Sequence, residues 1–326
     1  TGVYNKSYNA TRAAILYFVT GGIASVLILL SSAEVYEATG LTNLSEISTY
    51  YSISGINTWT SFDILLIALV FKMGLAPLHA WSISVYSYAP LYITAYISIV
   101  AKVSIMSFIY LNIHLFSTQL LILAFYLSVA VAAYTPLYQV NIKSILAYSG
   151  ILNFGYLLTA VLTNDNAYYV YIIQYSLTHV TIFLCILAIT EYTNKPASYW
   201  SPIVNVNQLV VPNKALCIAL IVCLFSLIGI PPLPGFYGKY YIIVGLMSNG
   251  LNLEALTIIV FSVIATYYYA YIIKQLASNL YNNNTNVIAT PINSTLGFII
   301  SILMVILITF YMYLPTLLDG LTLLHS

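Results

Sequence analysis

The sequence predicts an all-α protein, a polytopic bundle of transmembrane helices. Of its 326 residues 61% are hydrophobic and only 5% are charged, whereas a soluble domain carries about 25% charged residues. Backbone polar groups in hydrocarbon must be satisfied internally, so only helices and closed barrels cross a bilayer. The apolar runs continue for about 20 residues, the length of a spanning helix, without the alternation of a transmembrane strand. The net charge of +1 gives no basic surface for nucleic acid.

The expected helices come from nine apolar stretches, joined by connections that are short and polar apart from residues 34–61 and the Asn-rich turn Leu280–Val287. In chain order the stretches cover residues 13–33, 62–81, 90–112, 117–138, 143–162, 167–190, 213–248, 251–276 and 294–319. The second contains Pro77, which we expect to loosen the helix. The seventh contains three prolines between Ile230 and Gly235, and each removes a backbone donor and clashes with the preceding turn. This stretch must break, either as one interrupted helix or as two separate spans.

Charges in the connections favour one interrupted helix. If residues 213–248 cross once, the loop charges divide by sign between the two sides. One side then holds the cations Lys6, Arg12, Lys143, Lys195, Lys214 and Lys274 with a single acid, Glu191. The other side holds only acids, at Glu34, Glu37, Glu46, Asp63, Asp165, Glu254 and Asp319. Because Lys and Arg accumulate on the cytoplasmic side, or in the matrix of a mitochondrion, a single crossing fits and orients the chain.

Three lysines remain inside the apolar stretches, at Lys72, Lys102 and Lys239. A lysine at mid-bilayer costs about 2.5–3.5 kcal/mol on insertion scales and usually marks a functional site. Burial makes the charged form costly, so such a lysine can take up or release a proton when a nearby charge moves. His179, in the middle of its stretch, can switch near neutral pH. A lysine that reaches an interface and a histidine that only bonds a neighbour are the structural alternatives.

No pattern in the sequence indicates a cofactor or a metal. Cys185, Cys217 and Cys223 lie in apolar runs, where buried structural cysteine is the simpler interpretation. The segment Gly235–Tyr240 contains the Gly-Lys pair of a phosphate-binding loop but lacks the first glycine and the following Ser or Thr. We therefore expect no redox centre and no nicotinamide site in this chain.

Four segments resemble, in the same order, motifs of the antiporter-like subunits of respiratory complex I. Phe71–Trp81 resembles the first broken helix with its lysine, and Ala101–Ile105 the lysine of the next helix. Asn141–Gly150 resembles the start of the second repeat, and Phe225–Lys239 the second broken helix. The larger relatives tend to carry a glutamate where Lys239 stands, so the chain resembles the smaller type of subunit.

The resemblance implies two inverted five-helix repeats with two discontinuous helices. Residues 1–116 would hold the last three helices of the first repeat, 117–278 the second repeat, and 279–326 a C-terminal transmembrane helix. The chain begins at Thr1 without an initiator methionine, so we expect a natural N-terminal extension. By resemblance, a glutamate of that extension would pair with Lys72.

The resemblance also implies a proton path coupled to NADH:ubiquinone electron transfer in other subunits. Lys72 would accept protons through a first half-channel, Lys102 would relay them along a hydrated axis with His179, and Lys239 would serve the second half-channel. The implied partners are other membrane-arm subunits and lipid, in the inner membrane of a mitochondrion, and the Tyr- and Asn-rich composition fits a fungal one. A stand-alone sodium/proton antiporter subunit of the Mrp type and a structural scaffold are the alternatives.

Overall fold

The computed structural model describes residues 8–54, 59–192, 206, 211, 213–281 and 293–325. They form a bundle of α-helices. These are α1 (Tyr8–Thr39), α2 (Leu44–Ser54), α3 (Trp59–Met73), α4 (Ala80–Tyr88), α5 (Leu91–Tyr96), α6 (Lys102–Leu111), α7 (Thr118–Tyr134), α8 (Ile142–Ala160), α9 (Asp165–Tyr192), α10 (Lys214–Ile228), α11 (Pro234–Ser248), α12 (Asn252–Tyr281) and α13 (Ser294–His325). A π-helical stretch, Ile97–Ala101, joins α5 to α6. Six stretches of the described helices are long and apolar enough to cross a membrane.

The predicted helix at 62–81 is interrupted, and its two halves are α3 and α4. Both halves run antiparallel to the 32-residue helix α1. Val35 near the end of α1 and Phe62 near the start of α3 line one small cavity. The rings of Tyr17, earlier in α1, and Trp81, in α4, lie 5.9 Å apart. The interruption at Pro77 is therefore confirmed, and it leaves the two halves one after the other along the uninterrupted helix α1.

The stretch at 213–248 is likewise one interrupted helix, made of α10 and α11. Its halves run antiparallel along α9, in reverse order. A side-chain carbon added to Gly245 of α11 would lie 2.8 Å from Thr163, just before α9 begins, whereas Cys223 of α10 lies beside Cys185 near its end. Two separate spans could not follow the same helix in this single reversed order, so the expected single crossing is confirmed.

Charged residues separate to the two ends of the bundle. Arg12 lies 4.8 Å over the ring of the last residue of α4, and the ammonium of Lys143 donates to the carbonyl one residue further. At the opposite end, Asp63 accepts a hydrogen bond from the hydroxyl that precedes α7, and Asp165 accepts one from the last turn of α6. These contacts agree with the two sides assigned from the loop charges.

Two details differ from the sequence-based expectations. The connection at 34–61 contains a helix, α2, which the apolar pattern missed because only Ile47 of its described side chains is buried. Lys143, expected in a loop, is the second residue of α8 and only 6% exposed. Lys6 and Lys195, two other cations of the basic side, lie outside the described residues.

The core of the bundle is α8, every residue of which is buried. It packs against α4, α7, α9, α11 and α12. Its surroundings are partly polar: Tyr269 of α12 donates to the Ser149 hydroxyl at 2.7 Å, and Tyr171 of α9 donates to the Asn153 side-chain oxygen at 2.7 Å. A helix buried on all sides thus brings hydrogen-bonding groups to the middle of an apolar bundle.

Candidate functional site

Lys102 lies at the centre of the bundle. It is the first residue of α6, directly after the π-helical stretch, and only 2% of its surface is exposed. Its ammonium nitrogen Nζ lies 5.5 Å from the centre of the Tyr86 ring and 5.4 Å from that of Phe154. Cation–π contacts of this length help to hold a cation in an apolar setting. Within the described part of the chain Nζ has no hydrogen-bond partner.

His179 and its neighbours on α9 face the same region. The ring of His179 lies 3.9 Å from that of Tyr175 and within electrostatic range of the Lys102 ammonium. Its nitrogen Nδ1 is 3.2 Å from the Tyr175 carbonyl oxygen, which can only accept, so Nδ1 carries the hydrogen. The other nitrogen, Nε2, is then a bare acceptor, and it has no partner among the described residues.

Gln174 extends this set toward α11. Its buried side-chain oxygen also has no partner in the described part of the chain. The carbon Cγ of Gln174 would lie 3.1 Å from a side-chain carbon added to Gly238, the residue before Lys239. Buried polar atoms normally have a hydrogen-bond partner. Three such atoms on Lys102, His179 and Gln174 are therefore typical of an interior that holds water.

Lys239 lies just beyond the break of the second discontinuous helix. Its ammonium donates to the carbonyls of Leu227 and Ile228, each at 2.9 Å. These carbonyls belong to the last turn of α10, where unpaired carbonyls and the helix dipole favour a cation. The break allows this contact because Gly229 adopts a left-handed conformation with φ of 93°, which turns the chain back over the helix end.

Lys72 lies apart from the other three residues. It is exposed, near the end of α3, and it lines a cavity of about 830 Å³ between α1 and the first broken helix. Small residues of α1, among them Gly21 and Gly22, line the same cavity. The structure thus brings Lys102 and His179 together, links them through α9 to the start of α11, and leaves Lys72 on the opposite flank of α4.

Two functional features were missed from the sequence. Lys143 was counted as a loop charge, although its position next to Asn141, which accepts a hydrogen bond from its backbone amide at 3.1 Å, is an N-cap signal. The tyrosine, serine and asparagine contacts of α8 carried no signal, because the partners Tyr171 and Tyr269 come from helices distant in sequence. Among the described residues no group of three or more His, Cys, Asp or Glu side chains could hold a metal.

The chain is similar to proteins of known families over nearly its whole length. The family described as NADH:quinone oxidoreductase/Mrp antiporter, transmembrane, matches residues 1–266. The chain is 50% identical over 321 residues to NADH-ubiquinone oxidoreductase chain 2 of Debaryomyces hansenii, covering 98% of this chain and 70% of that protein. It is 32% identical over 290 residues to the protein of the same name from Rhizopus oryzae, covering 83% of this chain and 55% of that one.

A solved structure gives the same picture. A chain of respiratory complex I from Thermus thermophilus with bound aureothin superposes with a TM-score of 0.76 at 25% identity, over 93% of this chain and 68% of that one. The chain thus spans between about half and 70% of the length of the relatives it matches. The resemblance drawn from four short motifs is confirmed, as is the all-α antiporter-like fold. The chain belongs to the NADH:quinone oxidoreductase/Mrp antiporter transmembrane family.

Proposed function

We propose that this chain is a proton-translocating subunit of the membrane arm of respiratory complex I, in the mitochondrial inner membrane. The observation that carries the proposal is Lys102, a buried ammonium without a hydrogen-bond partner among the described residues. It lies within electrostatic range of His179, whose Nε2 also has no partner among them. Support comes from the relative that is 50% identical and named NADH-ubiquinone oxidoreductase chain 2. Electron transfer belongs to other subunits, and the other membrane-arm subunits and lipid are the partners.

The chemistry needs groups that exchange protons without leaving the membrane interior. A buried ammonium is costly unless water or a counter-charge stabilises it. The protonation of a buried lysine therefore responds to charges nearby. Lys72 accepts a proton from the first half-channel, and Lys102 relays it with the imidazole of His179, whose free nitrogen can take it up. Lys239 passes it to the second half-channel, with the α10 carbonyls stabilising its charged form.

We also infer the division of the chain into repeats. Residues 1–116 form the last three helices of a first repeat, 117–278 a complete five-helix repeat, and 279–326 a terminal helix. Support comes from the matching order of elements: a long straight helix, then a broken one lying antiparallel along it, then another long helical span. This order holds for α1 to α6 and again for α9 to α12.

The stand-alone antiporter is the weaker alternative. It shares the lysine chemistry, and the family name covers both classes. The two relatives compared above both carry the name of a complex I subunit. Purification separates the alternatives: complex I predicts flavin and iron–sulfur proteins in the same particle, and an antiporter predicts other antiporter subunits.

Replacing Lys102 with Met in the intact complex tests the proposed function. We expect assembly to be retained, because Met fills a similar volume among the Tyr86 and Phe154 rings. We expect NADH-driven proton pumping in vesicles to fall by roughly tenfold or more, since no other ammonium of the described residues lies at this point of the path. Lys274→Met, which changes an exposed lysine of α12, is the matched control. Normal pumping by assembled Lys102→Met would contradict the proposal.

A further inference from the structure

Lys143 is a buried lysine that the proton path does not use. It is 6% exposed, and its ammonium donates to the carbonyl of Ala89 at 2.9 Å. Ala89 directly follows the last residue of α4, so the ammonium lies at the negative end of that helix dipole. Its own helix opposes it, because the first turn of α8 is the positive end. The contact with α4 is what favours a cation at this place.

The two helices joined by this contact both reach Lys102. On α4, Tyr86 lies three residues before Ala89, about one turn away, and its ring lies 5.5 Å from the Lys102 nitrogen. On α8, Gly150 follows Lys143 by seven residues, two turns along the same face. A side-chain carbon added to Gly150 would lie 3.8 Å from that nitrogen. The contact of the Lys143 ammonium with the Ala89 carbonyl therefore joins α4 to α8, the two helices that both contact Lys102.

We propose that Lys143 is a positioning residue for Lys102. Its ammonium fixes the end of α4 against α8, and this holds the Tyr86 ring over the Lys102 ammonium. The inference rests on the proposed function, because Lys102 must be a proton carrier for its setting to matter. Among the described residues, the titratable groups that face Lys102 are Tyr86 from α4 and Tyr175 and His179 from α9.

The basic end of the bundle supports a role for a fixed α4 terminus. Arg12 of α1 lies 4.8 Å over the ring of Tyr88, so two cations hold two successive residues at the end of this short helix. Pro90 follows at once and is the N-cap residue of α5. A helix of nine residues between a break and a proline has few internal hydrogen bonds, so its position depends on such external contacts.

The test measures the pH profile of NADH-driven proton pumping by the intact complex in vesicles. For Lys143→Met we expect roughly a tenfold loss, the low end of the range expected when a hydrogen bond to a charged group is removed, together with a displaced pH optimum. Lys143→Arg, which keeps a cationic donor, should restore most of the rate and the native profile. The matched control is Lys214→Met, since Lys214 also follows an asparagine N-cap but is exposed.

Tyr86→Leu provides the second measurement, and it keeps the test decisive if Lys143→Met does not assemble. It removes the ring through which Lys143 is proposed to act, so it should displace the pH optimum in the same direction. In the double variant the effects should be less than additive. A native pH profile in Tyr86→Leu, or in an assembled Lys143→Met whose rate alone has fallen, would overturn the inference. Loss of function in Lys102→Met with native behaviour of Lys143→Met would leave the proposed function intact.

Discussion

Each of the two broken helices leaves backbone carbonyls without a helical partner at its break, and different side chains bond to them. At the first break, neutral groups satisfy the exposed carbonyls. The indole nitrogen of Trp81 donates to the Phe71 carbonyl at 3.0 Å, and the Ser82 hydroxyl lies 3.4 Å from the Gly74 carbonyl oxygen. Lys72 sits between these carbonyls in sequence yet bonds to neither of them. Its side chain is left at the edge of an open cavity.

At the second break the lysine itself satisfies the backbone. Lys239 donates to Leu227 and Ile228, and the two halves touch directly. The backbone amide of Gly235 donates to the hydroxyl of Ser226 at 3.3 Å. The second half, α11, packs against α8, α9, α12 and α13, whereas Ile230, Pro231 and Pro232 of the break itself are exposed.

The two breaks therefore differ in how firmly the ammonium group of their lysine is held, at Lys239 and at Lys72. The ammonium of Lys239 has fixed partners in this chain, because two of its three N–H donors bond to helix-end carbonyls. The ammonium of Lys72 lies at the edge of an open cavity beside α1, where no bond to the break fixes its position. The expectation that a glutamate upstream of Thr1 pairs with Lys72 stays a prediction.

The largest expected effect comes from a side chain that forces the two halves of the second broken helix apart. A side-chain carbon on Gly235 would lie 1.7 Å from the carbonyl oxygen of Ser226, so the halves must separate. Gly235→Ala should therefore cost more than about 3 kcal/mol, the upper range for overpacking, and reduce the amount of assembled complex on a native gel. Gly22→Ala is the control, because nothing lies within 4 Å of the added carbon. Equal assembly of the two variants would show that the halves are not tightly joined.

Replacing the lysine at each break with Met compares what the two lysines contribute to pumping and to stability. Lys239→Met should abolish pumping and also weaken assembly, because two helix-end carbonyls lose their donor at about 1.5–3 kcal/mol for a bond to a charged group. Lys72→Met should lower pumping by a similar factor but leave assembly unchanged, since Trp81 still covers the Phe71 carbonyl. The measurement is pumping per assembled complex, together with the melting temperature of the particle. A lower melting temperature in Lys72→Met would show that Lys72 also stabilises its broken helix, as Lys239 is expected to do.

The smallest expected effect on stability comes from lysine-to-arginine changes. Both variants should lose most of their pumping, because a guanidinium does not release its proton. Lys72→Arg should leave the melting temperature of the particle unchanged, because the cavity beside α1 has room for the larger guanidinium. Lys239→Arg should lower the melting temperature, since the larger group must fit against Gly229, where the lysine carbon Cδ already lies 3.4 Å from the position of an added side-chain carbon. Melting temperatures of the two assembled particles provide the check, and equal values would indicate that Lys239 is as free to move as Lys72.

Much of this architecture could be predicted from the sequence. The apolar stretches at 143–162 and 251–276 match α8 and α12 within a few residues, because length and hydropathy are local properties. Both interruptions were predicted because proline and glycine act on their own turn of the helix. The helix α2 was not, because its single buried described side chain gives no apolar stripe.

The sequence by itself determined which lysines lie inside the apolar stretches and on which side of the membrane the loop charges lie. Each of these follows from counting residues along a helix and charges between helices. Only the tertiary structure decided what each lysine touches. It made Lys239 a helix cap, placed Lys102 between aromatic rings, left Lys72 open, and buried Lys143 against α4. The reason is physical: helical periodicity sets the face on which a side chain lies, but its partners come from helices distant in sequence, and packing alone selects them.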